Sequence, residues 1–75
     1  MINYKLDIMR CLKLKGYTSY KLRNSKILGE ATMTKFRNGN TKITVENLDT
    51  VCQLLNCQPG DILEYVPDEP TNPSN

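Results

Sequence analysis

Between Ser19 and Lys42 the chain gathers side chains whose chemistry suits the base edges and backbone of a nucleic acid. Glu30, Ala31, Thr34 and Lys35 fall on one side of a helix at its natural period. A lysine placed there can donate to the acceptors of guanine, and a glutamate can accept from the cytosine amino group. An alanine or threonine methyl can meet the methyl of thymine. Ser19, Asn38, Asn40 and Lys42 offer a hydroxyl, an amide, a backbone N–H and an ammonium, groups that hold phosphates without reading sequence. Base-reading is therefore expected of the first four and phosphate-binding of the second four.

Other chemistries are poorly supplied. The sequence has no histidine, no glycine-rich phosphate loop and no serine or cysteine beside an evident base, so no catalytic residue is expected and the chain does not read as an enzyme. Asp61 and Glu64 stand three apart on a short helix, where paired acids are ordinarily solvated. Cys11, Cys52 and Cys57 cannot all pair within one chain and do not complete a metal ligand set. They read as reduced thiols serving as small core hydrophobes. Neither a metal, a cofactor nor a small-molecule ligand is expected.

Two short helices have to present these groups. Thr18 can cap the first, and Leu22 is its inward residue. The second should begin near Gly29 or Glu30 and turn Met33 and Phe36 inward. Asn38 and Gly39 stop it, because both tolerate the left-handed conformation of a helix end. Such helices cannot bury enough apolar surface alone, so the flanking chain must supply a core. The spacing predicts a helix over residues 3–15, with Asn3 as N-cap and Gly16 just beyond. Tyr4, Ile8, Cys11 and Leu12 form its core stripe, and Ile2, Leu6 and Met9 form a second, narrower stripe opposite. Thr44 is a candidate cap for a helix over residues 45–55, in which Val45, Leu48, Val51, Cys52 and Leu55 keep the helical period and which Asn56 ends. Pro59 opens a fifth short helix, from which Ile62, Leu63 and Tyr65 return to the core. The fold class is thus all-α: one five-helix domain over residues 1–66. Residues 67–75, with three prolines, two acids and no apolar anchor, are expected to be a disordered tail.

The formal net charge of +2 conceals a division along the chain. Residues 1–44 carry ten bases against Asp7 and Glu30, a net +8, whereas residues 45–75 carry six acids and no base, a net −6. That polarity would draw a polyanion to one end of the molecule and repel it from the other. No stretch approaches the roughly 18 apolar residues of a membrane span. The opening MINYKLDIMR mixes charges into its apolar residues and lacks a small-residue cleavage site, so it does not read as a signal peptide and the cytoplasm is the expected location.

Taken together, Lys15-Gly16-Tyr17-Thr18-Ser19, Leu22, Thr32-Met33, Phe36, Asn38-Gly39 and the helix from Val45 to Leu55 resemble the Cro and lambda-repressor-like (XRE) helix-turn-helix regulators over residues 4–65. Residues 56–66, NCQPGDILEYV, are similar to the ending of small Firmicutes-type members. No single motif is specific, but their joint order and spacing are. The resemblance implies a compact five-helix lambda-repressor-like domain with the helix-turn-helix at its second and third helices. It further implies a recognition helix at about residues 29–38 in the major groove, sequence-specific double-stranded DNA as partner, and a small transcriptional regulator, foremost a repressor. Two residues depart from the family pattern. Arg23 replaces a small alanine, and its stem can lie along the surface with the guanidinium in water. Ile27 replaces the turn glycine and cannot easily adopt positive φ, so the turn is expected to lengthen and shift toward Gly29.

One helix-turn-helix reads only a few base pairs, so a homodimer is expected. Its preferred contact is the C-terminal surface of Leu54, Ile62, Tyr65 and Val66, which lies in the acidic half and where the resemblance places dimer contacts. The stripe of Ile2, Leu6 and Met9 is the rival surface. The alternative function is a protein–protein interaction module on the same scaffold, antitoxin-like or an anti-defence factor. So short a chain would leave an effector domain no room, and switching would then come from concentration, a partner or proteolysis.

Overall fold

Apolar residues four apart on two helices that pack against each other, Ile8 and Leu12 on one and Val51 and Leu55 on another, are buried in one core. Leu22, Leu28, Met33, Phe36 and Ile62 complete it, and no polar side chain is buried among the described residues. The computed structural model describes residues 1–67, so the expected tail lies outside the described residues apart from Pro67. Those residues form, in order, β1 (Ile2–Tyr4), α1 (Ile8–Leu14), α2 (Ser19–Asn24), α3 (Glu30–Asn38), α4 (Val45–Leu55), α5 (Pro59–Ile62) and β2 (Leu63–Tyr65).

Five helices are present as the sequence predicts, but the fold is not wholly helical. β1 pairs antiparallel with β2, with Ile2 opposite Tyr65, Asn3 opposite Glu64 and Tyr4 opposite Leu63. The Lys5 N–H donates to the Ile62 carbonyl at 2.7 Å and the Val66 N–H to the Met1 carbonyl at 2.8 Å, while the Met1 amino group donates to the Val66 carbonyl. The helix predicted over residues 3–15 accordingly begins at Ile8, and Asn3 lies in a strand instead of capping it. The physical reason is a better cap downstream: the Asp7 carboxylate accepts the Arg10 N–H at 3.2 Å, leaving the preceding residues free to pair. Ile2, Leu6 and Met9 therefore do not form one helical stripe. Tyr4 still reaches the core edge, where its ring meets that of Phe36 edge-on, centroids 6.1 Å apart.

The predicted caps at Thr18 and Thr44 are present, accepting from the Lys21 and Asn47 N–H groups at 3.2 and 3.1 Å. Pro59 opens α5 as expected, and the Asp61 carboxylate accepts the Gln58 N–H there at 3.0 Å. Ile62 returns to the core as expected, fully buried, and so offers nothing to the expected dimer surface; Tyr65 is 69% exposed and does not return to the core; and Val45, on the first turn of α4, keeps the helical period but is 81% exposed. Leu54 and Val66 are half-buried.

Candidate nucleic-acid interface

α2, the turn after it and α3 form the helix-turn-helix. α2 is only six residues long, and its closure decides how α3 leaves it. Lys26 takes φ 58°, its N–H donates to the Arg23 carbonyl at 3.2 Å, and the Ile27 N–H reaches back to the Leu22 carbonyl at 3.1 Å. This is a Schellman closure with a lysine in the left-handed position. The turn thus pivots at Lys26 and not at Gly29, which has φ −78° and serves as the N-cap of α3. The isoleucine avoids positive φ, as its branched side chain requires, by passing that conformation to the residue before it. Leu28 and Met33 occupy the two positions of a hydrophobic staple across the start of α3, and both are buried. At the far end Gly39, at φ 74°, closes α3 as predicted.

α3 turns Met33 and Phe36 inward and leaves Glu30, Ala31, Thr34, Arg37 and Asn38 exposed. Of the four expected base-readers, Glu30, Ala31 and Thr34 share that outward face. Lys35 lies at its margin, half-buried, with its ammonium donating to the Lys42 carbonyl at 2.8 Å. Among the expected phosphate ligands, Asn40 and Lys42 come together: the Asn40 side-chain oxygen accepts the Lys42 N–H at 2.8 Å. The Tyr4 hydroxyl donates to the Asn40 carbonyl at 2.7 Å, which ties this loop to β1. Asn38 stands on the exposed last turn of α3, and Ser19 on the first turn of α2.

Two arginines absent from those expectations connect the pieces. Arg23 Nε donates to Glu30 Oε1 at 2.8 Å, Arg37 Nη1 reaches Glu30 Oε2 at 3.4 Å, and Arg37 Nη2 donates to the Ser19 hydroxyl at 2.9 Å. Glu30 and Ser19 are thereby joined through Arg37, and α2 is clamped to α3. Arg23 keeps its guanidinium at the surface, as expected of an arginine in place of a small residue. The hydrogen bond from Arg23, with that from Arg37 and the charges of both, holds the Glu30 carboxyl below its ordinary range against a smaller opposing effect of desolvation. Arg37 was legible in principle: it lies two turns after Glu30 on the same helical face.

A helical domain with this helix-turn-helix and an exposed polar face on its second motif helix has a recognisable class. The family model of the Cro/C1-type HTH DNA-binding domain matches residues 7–68, and the chain belongs to that family. Among curated proteins it is similar to YozG of Bacillus subtilis (strain 168), described as an uncharacterized HTH-type transcriptional regulator, with 48% identity over 42 residues. The match covers 55% of this chain and 50% of that protein, so the chain spans about half the length of the curated relative it matches. No solved structure matches the chain. No helix among the described residues is long and apolar enough to cross a membrane.

Proposed function

We propose that the chain binds double-stranded DNA sequence-specifically as a small transcriptional repressor, with α3 in the major groove. The observation that carries this reading is the outward face of α3, five exposed residues on a helix whose other side is locked into the core. Recognition helices contact base edges through their N-terminal residues, which here are Glu30, Ala31 and Thr34. Lys35 reads from the margin, and Ser19, Asn38, Asn40 and Lys42 hold phosphates on either side. The basic half of the chain, net +8 over residues 1–44, supplies the field that brings the duplex in.

In this reading the protein acts as a homodimer. Pairing of β1 with β2 sets Ile2 opposite Tyr65, so the two rival sequence surfaces adjoin at one cross-strand pair, 45% and 69% exposed. An isologous contact through that pair would set the same joined patch of both copies against itself.

Selection of bound sequences from a random duplex library is the direct test. A recovered motif repeated about one helical turn apart supports both DNA reading and dimerisation; no enrichment even at low salt ends the DNA reading. Applied to variants, the same selection should show Lys35→Ala relaxing preference at one position and Lys42→Ala weakening all sequences about equally.

A further inference from the structure

Cys52 sits in the last turn of α4 and Cys57 just past its end. A backbone hydrogen bond of 3.1 Å runs from the Cys57 N–H to the Cys52 carbonyl. It forms because Asn56, at φ 53°, reverses the chain in the left-handed conformation. That closure folds the residue after the turn back over the last turn of α4, the proximity a disulfide needs. Side-chain contact between these two positions regularly accompanies such a closure. Both thiols are half-buried, and both line one cleft of about 480 Å³ together with Val45, Leu48 and Pro59. Desolvation and then the neighbouring Cys57 push the Cys52 thiol up, with Asp49 and Asp61 adding to the effect. Cys11, on α1, is not part of this cleft.

We propose that Cys52 and Cys57 are a modification site, a dithiol that hydroperoxides convert reversibly to an intramolecular disulfide. Cys57 attacks the peroxide first and Cys52 resolves. The Cys57 sulfur attacks one oxygen of hydrogen peroxide, the O–O bond breaks, and the departing hydroxide takes the proton that the thiol gave up and leaves as water. The Cys52 sulfur then attacks the resulting sulfenic sulfur; the S–S bond forms, the S–O bond breaks, and the second hydroxide leaves as water with the Cys52 proton. Two thiols lose two electrons and one peroxide becomes two waters. The bond closes the turn between α4 and α5, and α5 delivers Ile62 to the core and passes directly into β2.

The test uses the full chain, free of reductant, exposed to hydrogen peroxide and examined by mass spectrometry after trypsin. No lysine or arginine follows Lys42, so both cysteines fall on one peptide, residues 43–75, and Cys11 on another. The expected result is a loss of about 2 Da from that peptide in the wild type and in Cys11→Ser, reversed by dithiothreitol, with no such loss in Cys52→Ser or Cys57→Ser. A wild-type peptide that only gains oxygen, couples between chains, or keeps both thiols open to alkylation overturns the proposal. None of these readings depends on DNA binding.

Discussion

Lys26 holds a backbone conformation that costs a residue with a Cβ about 1 kcal/mol, and its exposed side chain makes no hydrogen bond or ion pair among the described residues that would offset it. Lys26→Gly removes that cost. The variant should be more stable by about 0.5–1 kcal/mol, after allowing for the greater freedom of glycine in the unfolded chain, and thermal melting reads the gain directly. A lower melting temperature would mean that the turn does not pivot at Lys26. Glu30 supports a prediction in pH. Its folded pKa is lowered, so the stability it contributes is present above its ordinary value of 4.5 and lost as pH falls through the lowered folded value. Glu30→Gln should therefore melt slightly below the wild type at neutral pH, and the two should converge once Glu30 is protonated. The effect is small because the group is exposed. Chain order alone made Leu22, Met33 and Phe36 legible as core and Glu30, Ala31 and Thr34 as an outward face. It did not reveal the Arg23–Glu30–Arg37 clamp, because that pairing depends on where the turn sets α3 against α2.

At the level of elements, α3 is held chiefly by Met33 and Phe36, both buried, with the edge of Tyr4 against the Phe36 ring. Phe36→Ala should cost about 3–5 kcal/mol, much of what a domain of this size has, and a purified variant should melt far earlier or fail to fold. A shift of only a few degrees would show that the ring is not an anchor. The start of α1 is where sequence and structure part. Tyr4, Ile8, Cys11 and Leu12 fit a helical stripe, but Ile2-Asn3-Tyr4 and Leu63-Glu64-Tyr65 equally fit the alternation of short strands. Three residues are too few for a period to decide between them, and the pairing becomes visible only when both ends of the domain meet. The core role of Leu28 was hidden for a related reason: it lies in a turn, outside any periodic run, and is buried because Gly29 begins the next helix.

For the molecule as a whole, the division of charge predicts a DNA interaction that is strongly electrostatic. If about four to six phosphates are neutralised, log K should fall with log salt at a slope of roughly −0.9 per phosphate, measurable by fluorescence anisotropy on a selected duplex. A flat response would argue that the basic half is only a solvated surface. The ribbon of β1 and β2 has another consequence, in the kinetics of opening. Each helix closes over a short stretch of chain, whereas the ribbon joins residues from nearly opposite ends of the described chain, the most entropically expensive closure in the fold. Its strands are three residues long and partly exposed, so it can separate while the helices remain packed. In hydrogen exchange the Lys5 and Val66 amides should therefore report this local parting and exchange well before that of Leu22, whose release requires the core itself to come apart.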